Sequence, residues 1–252
     1  MSEKERAELI ELTGRSDPFW ASCRLRRSRK ARRVIARVLA GGEIELVLPI
    51  RHSEKEAFDF LRDKGAWVEK QLARSLAPVT FLEHLRSRPR FSIDGKKRAV
   101  VLEFGGGRVA LPSWRRTETA GVVFNLHPAR DPEKQAIHLA RNLAKTYLPV
   151  RVATLGESFG LQPKQVRVGD QRSRWGSCSS RGALSLNWRL LLLEPKLQDY
   201  VIHHELAHIE IMDHSSNYWN FLAKLNPKAT RLDRELTKIS RELMNVGRLA
   251  IR

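Results

Sequence analysis

Residues 200–208, Tyr-Val-Ile-His-His-Glu-Leu-Ala-His, decide how the rest of this sequence is interpreted. Pro195, five residues earlier, suits the first position of a helix. Apolar residues recur at helical spacing along the same stretch, at Leu197, Val201, Ile202, Leu206 and Ile209. Because helix positions four apart lie on one face, His204 and His208 can point at the same ion. The stretch therefore predicts a helix that carries a metal site.

Glu205 and a third histidine complete the expected site. Glu205 is offset from the pair by one residue, which places its carboxylate beside an ion and not on it. His214 comes after the helix end and precedes a good N-cap residue, so a turn there can bring it back to the pair. Glu235, on the last expected helix, is the competing third ligand. Imidazole ligands with one open position favour Zn²⁺.

This His-Glu-x-x-His pattern predicts a zinc-dependent hydrolase. The ion lowers the pKa of a bound water to ~7, and Glu205 accepts the proton as the water attacks. A second electrophile is expected, and Tyr218 is a candidate, although an aromatic residue beside Trp219 and Phe221 is more often part of the core. His203 points away from the pair by one helical step and is interpreted as a structural residue.

The composition is strongly basic, with 46 Lys and Arg against 28 Asp and Glu, a net charge of +18 and a pI near 10.6. Such a charge favours phosphate-bearing or acidic partners, or else covers a solvated surface. Residues 24–37 hold eight basic side chains and no acidic one. We expect no membrane partner, because no apolar run approaches the ~20 residues of a bilayer span. Two cysteines, no disulfide framework and no secretion signal predict a cytoplasmic location.

The patterning predicts an α+β fold in two domains, residues 1–129 and 130–252. The smaller N-terminal domain is expected to be β-rich and basic, with a frayed start over residues 1–15. Alternating apolar positions on either side of the turn at Gly41-Gly42 predict a hairpin. One helix is expected over residues 53–76, with Ser53 and Glu56 as a capping box.

The second domain is expected to begin with a long helix opened by Asp131-Pro132. Strands are expected over residues 165–168 and 183–187, joined by a polar loop. The histidine helix follows, and two more helices are expected over residues 215–225 and 230–245. Near residue 130 the pattern changes from short predicted strands to a long predicted helix, and this change is the reason for the expected domain boundary.

Two stretches together resemble the YgjP-like zinc metallopeptidase family, which is related to SprT-type and Wss1-type zincin-like metalloproteases. The first is Arg174-Trp175-Gly176-Ser177-Cys178-Ser179 with Leu184-Ser185-Leu186-Asn187, and the second runs from Tyr200 to Trp219. The resemblance implies a zincin-like C-terminal domain with an active-site helix and an adjacent β-hairpin. It implies that His204, His208 and His214 bind zinc and that Glu205 is the base.

The same resemblance implies that Trp175 and Asn187 lie beside the cleft. We expect substrate contacts from Arg174, Trp175, Asn187 and Tyr218. Two positions depart from the family pattern: Asp213 stands where asparagine is usual, and Tyr218 where phenylalanine is usual. Neither departure touches an expected ligand.

The resemblance leaves the cleaved bond open. The family name implies peptide hydrolysis, some members are described as pyrophosphatases of uridine triphosphate, and SprT-type and Wss1-type relatives act on proteins attached to DNA. We expect a metallopeptidase first and a nucleoside-triphosphate pyrophosphatase second. A nucleic-acid-associated protein with a structural metal site is the third alternative. The expected partners are a peptide, protein or nucleotide substrate, and nucleic acid through the basic surface.

Overall fold

The computed structural model describes residues 6–14, 18–39, 42–73, 79–105, 111–119 and 121–248 of a mixed α+β protein. The chain divides into two compact units, an N-terminal unit of residues 1–78 and a C-terminal unit of residues 79–252. This division does not coincide with the boundary expected near residue 130. The strands between residues 90 and 126 share a core with the helix that follows them, so they belong to the C-terminal unit.

The N-terminal unit is a four-stranded sheet with two helices. Its strands are β1 (Arg6–Thr13), β2 (Pro18–Ser28), β3 (Ile35–Val38) and β4 (Ile44–Pro49), and its helices are α1 (Glu54–Asp63) and α2 (Gly65–Ala73). The sheet order is β1-β2-β4-β3, with β2 and β4 parallel and the other two pairs antiparallel. The expected hairpin is confirmed as β3 and β4. Leu46, Leu48 and Leu61 are fully buried and join β4 to α1 in one core.

Of the fraying expected over residues 1–15, the part over residues 6–13 is contradicted by a regular strand. Strand β1 pairs with β2 from Arg6 to Thr13. Ile10 and Leu12 are buried, whereas Leu9 is exposed, so the strand alternates between a core face and a solvent face. This short period-two pattern is enough to hold the strand on the sheet. Residues 1–5 and 15–17 lie outside the described part of the chain.

The helix expected over residues 53–76 is divided into α1 and α2. Its capping box is confirmed: the Glu56 N–H donates to Ser53 Oγ at 3.2 Å, and the Ser53 N–H donates to Glu56 Oε2 at 3.1 Å. Helix α2 begins at Gly65, where a Cβ atom would lie 2.0 Å from the carbonyl oxygen of Thr13. The close passage of β1 therefore requires glycine at this break. The last residues of the expected helix lie outside the described ranges.

Glutamates neutralise part of the basic stretch at residues 24–37. Arg24 pairs with Glu43 at 2.8 Å, and the buried Glu45 receives both Arg26 and Arg37 at 3.3 Å. The remaining positive charge is concentrated in the turn between β2 and β3, where Arg29, Lys30, Arg32 and Arg33 are exposed.

The C-terminal unit begins with a helix and a four-stranded sheet. These elements are α3 (Phe81–Ser87), β5 (Arg90–Ile93), β6 (Lys96–Phe104), β7 (Ser113–Arg116) and β8 (Val122–Leu126). The sheet order is β5-β6-β8-β7. The long helix α4 (Pro132–Glu157) follows; Asp131 caps it by accepting the Lys134 N–H at 3.1 Å, as the Asp-Pro start predicts.

The second half of this unit carries the histidine helix. Its elements are β9 (Gln165–Gly169), β10 (Gly176–Cys178), β11 (Ala183–Asn187), a 3₁₀ helix (Trp188–Leu192), α5 (Pro195–Ala207), α6 (Ser216–Leu225) and α7 (Ala229–Asn245). Strands β10 and β11 form the expected antiparallel hairpin, and β9 adds to β11 in parallel. Buried residues of α4, α5 and the 3₁₀ helix form one core. Within the described residues, no helix is both long and apolar enough for a bilayer crossing.

Candidate metal centre

Helix α5 positions two histidines at its C-terminal end. Its apolar face is fixed by burial of Leu197, Val201 and Leu206. His204 lies in the last turn, and His208 is the C-cap residue, with helical backbone angles. The centroids of these two imidazole rings are 5.0 Å apart. The i, i+4 spacing has therefore produced the shared face that the sequence predicts.

The loop after α5 brings His214 back to this pair. The Ser215 N–H donates to Asp213 Oδ1 at 3.0 Å, which shapes the turn before α6. His214 Nε2 lies 3.3 Å from His204 Nε2, and the His208 and His214 ring centroids are 4.7 Å apart. One nitrogen from each of the three histidines lies within 4.8 Å of the other two. We call His204, His208 and His214 the histidine cluster.

The geometry of the histidine cluster fits a tetrahedral ion. Two nitrogens bound at the usual zinc distance in a tetrahedral site are separated by ~3.3–3.4 Å, and the His204–His214 separation is 3.3 Å. His208 Nδ1 lies 2.9 Å from the carbonyl oxygen of Ile211, and a proton donated there leaves Nε2 free to bind a metal. The donor set is three imidazoles, which suits Zn²⁺.

Burial keeps His204 and His208 in the neutral form that metal binding requires. It lowers the pKa of His204 to about 4, with further lowering by the nearby His208 and His214. Burial also lowers the pKa of His208, although the Ile211 carbonyl acts in the opposite direction. A neutral imidazole has a lone pair available for a cation, so these shifts favour ligation at neutral pH.

Glu205 lies beside the cluster and is 5% exposed. Burial raises the pKa of Glu205 to about 8, and the positive charge of Arg174 opposes that shift. Strand β10 passes against the carboxylate: a Cβ atom at Gly176 would lie 2.5 Å from Glu205 Oε1. Only glycine fits there without displacing the carboxylate. A carboxylate tuned towards neutral pH is suited to take up and return a proton.

Tyr218 packs directly on the histidine cluster. Its ring stacks on His208 with centroids 4.6 Å apart and planes at 22°, and its hydroxyl donates to the His204 carbonyl at 3.1 Å. The residue is fully buried, and burial raises the pKa of Tyr218. These contacts support the positions of His204 and His208. Substrate contact by Tyr218 stays a prediction, and donation of a hydrogen bond to substrate would require the hydroxyl to leave the His204 carbonyl.

The expected substrate-binding residues of the hairpin differ in accessibility. Arg174 is exposed, and its positive charge acts to lower the pKa of Glu205. Trp175 is 8% exposed, and its indole N–H donates to Ser240 Oγ at 2.8 Å. Asn187 is fully buried, and its amide donates to the Gln171 carbonyl at 2.8 Å. Trp175 and Asn187 thus hold the loop that carries Arg174, and Arg174 is the member of this set that faces solvent.

Other candidates from the sequence lie outside the cluster. Glu235 pairs with Lys196, and among the described residues neither Glu235 nor Cys178 belongs to the group that could hold a metal. His203 packs edge-on against Phe159, away from the cluster, as a structural histidine would.

Sequence reasoning missed two supports of the site. Gly176 is part of the hairpin motif, but the sequence assigns it no role. Tyr200 packs edge-on against His204 with centroids 6.1 Å apart, and its hydroxyl donates to Asp233 Oδ1 at 2.9 Å. Its position four residues before His204, on the same helix face, is the signal that could have identified it.

Comparison with known proteins gives one family and one solved structure. The family model described as YgjP-like, metallopeptidase domain, matches residues 32–239. The crystal structure of the metallopeptidase zymogen abylysin from Pyrococcus abyssi matches at 28% identity, over 37% of this chain and 96% of that chain, with a TM-score of 0.34. No curated protein matches this chain.

Proposed function

Because the chain belongs to the YgjP-like metallopeptidase family, we propose that it is a zinc-dependent peptidase with a zincin-like active site in its C-terminal unit. The observation that carries this proposal is the histidine cluster beside Glu205. Three ligand nitrogens lie within 4.8 Å of one another, and the neighbouring carboxyl group is buried with a raised pKa. A site of three histidines leaves one tetrahedral position for water or substrate.

Each residue has a role in this proposal. His204, His208 and His214 hold the ion, and Tyr218 keeps the His208 ring in place by stacking. A bound zinc ion supplies an acidified water and polarises the scissile carbonyl group. Glu205 accepts a proton at its carboxylate and returns it to the leaving nitrogen. The ionised form that this role needs is favoured by Arg174 and by the cation that the histidines hold.

The chemistry of the cluster weighs against a purely structural metal site. Structural zinc sites are closed and usually include cysteine. Cys178 is a free thiol whose Sγ contacts the Ser179 carbonyl at 3.4 Å, outside the cluster of described ligands. Its reduced state and that of Cys23 accord with the cytoplasmic location that we propose. Nucleic-acid contact through the basic N-terminal unit stays a prediction, to be tested by the salt dependence of DNA affinity.

The test pairs Glu205→Gln with Glu210→Gln, a matched control in which the same change is made at an exposed position of the same segment. Zinc content is measured by mass spectrometry, and hydrolysis is measured on a casein-like protein and on a nucleotide panel. We expect about one zinc per chain in both variants. Loss of the general base should lower peptide hydrolysis by about 10²–10⁴-fold in Glu205→Gln and leave Glu210→Gln unchanged.

Two outcomes contradict the proposal. Pyrophosphate release from nucleotides without any peptide cleavage would assign the same metal site to a pyrophosphatase. Zinc loss in Glu205→Gln with retained activity would show that the roles of ligand and base are wrongly assigned.

A further inference from the structure

A small pocket lies in the C-terminal unit, between α4, β9 and the 3₁₀ helix. Its volume is about 160 Å³, and it is lined by Arg141, Lys145, Val168, Gly169, Asp170 and Trp188. None of these residues belongs to the histidine cluster or contacts Glu205 through a hydrogen bond. The pocket has room for about five water molecules, at ~30 Å³ each, which is enough for a small polyatomic ion.

Positive charge exceeds negative charge in and next to the wall of this pocket: Arg141 and Lys145 line it with Asp170, and Arg189 and Arg248 pair with Asp170 from outside the lining. Asp170 accepts hydrogen bonds from Arg141 and Arg189 and pairs with Arg248 at 3.1 Å. We call Asp170 with these three arginines the Asp170 cluster. Lys145, on the same face of α4 as Arg141, adds a fourth cation. Four cations against one carboxylate leave an excess of three positive charges.

The part of this charge that lies on Arg189 and Asp170 is held where water screens it poorly. The Arg189 side chain is fully buried, and that of Asp170 is 16% exposed. Burial lowers the pKa of Arg189 to about 10, and repulsion by Arg248 acts in the same direction. Burial alone would raise the pKa of Asp170, but the three arginines lower it, so the carboxylate stays ionised and its single charge cannot balance the cluster.

Three buried donors of the pocket wall and the Asp170 cluster lack an acceptor among the described residues: Trp188 and Arg141 line the pocket, and Arg189 belongs to the cluster alone. Within the described residues, Trp188 Nε1, Arg141 Nε and Arg189 Nη2 have no hydrogen-bond partner. An unpaired buried donor costs about 1–3 kcal/mol, and more when it is charged, so three in one region are unusual. All three can donate and none can accept. A ligand in the pocket that satisfies the Trp188 and Arg141 donors must therefore be rich in acceptors.

From this combination we propose that the pocket binds a phosphate-type oxyanion, either inorganic phosphate or the phosphoryl group of a larger molecule. Such a group is negatively charged and presents several acceptor oxygens. Guanidinium groups bind it with strong charge-assisted hydrogen bonds, and Lys145 contributes a point charge. The inference goes beyond the peptidase proposal and does not rest on it, because it uses no residue of the histidine cluster.

The experiment titrates inorganic phosphate into the full-length, chelator-treated protein and measures binding by calorimetry at fixed ionic strength. The principal variant is Lys145→Gln, which removes one charge from an exposed position and leaves the Asp170 pairs intact. The matched control is Arg167→Gln on β9. Because side chains alternate along a strand, Arg167 and the pocket-lining Val168 point to opposite faces.

We expect saturable binding of phosphate to one site per chain. Lys145→Gln should weaken that binding about tenfold or more, and Arg167→Gln should leave it unchanged. Sulfate should compete, whereas chloride at equal ionic strength should not. A phosphate monoester as a third titrant separates the two sources: binding of the monoester indicates a phosphoryl group on a larger molecule, and its exclusion indicates free phosphate.

Three results would overturn the proposal. The first is no saturable binding of phosphate. The second is equal weakening in both variants, which would indicate a diffuse response to net charge. The third is phosphate binding that appears only after zinc is restored, which would place the anion at the histidine cluster. The titration uses chelator-treated protein, so its result depends neither on bound zinc nor on peptidase activity. If the peptidase proposal failed, the phosphate result would still stand.

Discussion

The histidine cluster and the Asp170 cluster lie in the same unit, but they are assembled differently. All three histidines fall within residues 204–214, where one helix end and one turn bring them together. The Asp170 cluster combines side chains from positions 141, 170, 189 and 248, which come from α4, the loop after β9, the 3₁₀ helix and the segment after α7. One is a local construction, and the other depends on the whole unit being folded.

The two clusters also differ in how they handle charge. In the histidine cluster the pKa values of His204 and His208 are lowered by burial, and the cluster contains no carboxylate ligand, so it is suited to accept a cation from outside. The Asp170 cluster contains its own carboxylate and pairs it with three arginines. Its internal ion pairs stabilise the fold, and the surplus of cations is what remains for a ligand. The following changes test this contrast, from the largest expected effect to the smallest.

Removing one histidine should abolish stable zinc binding. Structural zinc sites are worth about 10–16 kcal/mol over four ligands, so losing one ligand should weaken affinity roughly a hundredfold or more. We therefore expect His214→Ala to lose zinc on dialysis against a weak chelator, and Glu235→Ala to keep it. Zinc content by mass spectrometry decides between the two. Zinc lost from Glu235→Ala but kept in His214→Ala would make Glu235 the third ligand. The metal site would then combine residues that are distant in the chain.

Removing the carboxylate of the Asp170 cluster should destabilise the C-terminal unit. Asp170→Asn leaves three arginines close together without their shared counter-ion, at a cost of about 3 kcal/mol. Urea unfolding followed by tryptophan fluorescence measures the change in the free energy of unfolding. Glu242→Gln is the control, because its pair with Arg88 is exposed on both sides and should contribute much less. Equal losses in the free energy of unfolding would show that the Asp170 ion pairs stabilise the unit no more than the exposed Arg88–Glu242 pair does.

A methyl group at Gly176 should impair catalysis without removing the metal. The new Cβ atom would lie 2.5 Å from Glu205 Oε1 and so displace the carboxylate. A displacement of about 1 Å can lower activity by up to a hundredfold, so Gly176→Ala should lose about tenfold to a hundredfold in peptide hydrolysis. Gly105→Ala is the control, since a Cβ atom there meets nothing within 4 Å. Unchanged activity in Gly176→Ala would remove Glu205 from the proposed mechanism.

His84, which belongs to neither cluster, should make the stability of the C-terminal unit depend on pH. Burial lowers the pKa of His84 to about 4, with smaller contributions from Arg88 and Lys97. The unfolded chain then binds the proton at a pKa near 6.5 and the folded chain does not, so stability is greatest above pH 6.5 and falls as the pH decreases towards 4. The loss from this residue is about 3 kcal/mol, because its pKa falls from 6.5 to about 4 on folding.

His84→Gln should flatten this part of the stability profile. Urea unfolding at several pH values between 4 and 7 measures the slope, and His138→Gln, at an exposed histidine of α4, serves as the control. A slope that is unchanged in His84→Gln would assign the acid sensitivity to other groups, including the histidine cluster itself.

Part of the fold and much of the candidate site could be predicted from local sequence pattern. The helix with His204 and His208, the β10–β11 hairpin and the capping box at Ser53 all follow from short-range rules of spacing and hydrogen bonding. The start of β1 and the division between α1 and α2 were wrongly predicted, because each depends on a contact with another strand or helix. Ile10 is held by the sheet, and Gly65 is required by the backbone of Thr13.

The sequence by itself determined that His204 and His208 share one face, since helical periodicity places residues four apart on one face whatever surrounds the helix. That His214 lies beside this pair, and Glu235 does not, was decided by the tertiary structure among the described residues. The tertiary structure decided where Gly176 meets Glu205, that Tyr218 supports the histidines, and which arginines surround Asp170. These contacts join residues that are distant in the chain. Their physical origin is packing in a common core, which no local pattern records.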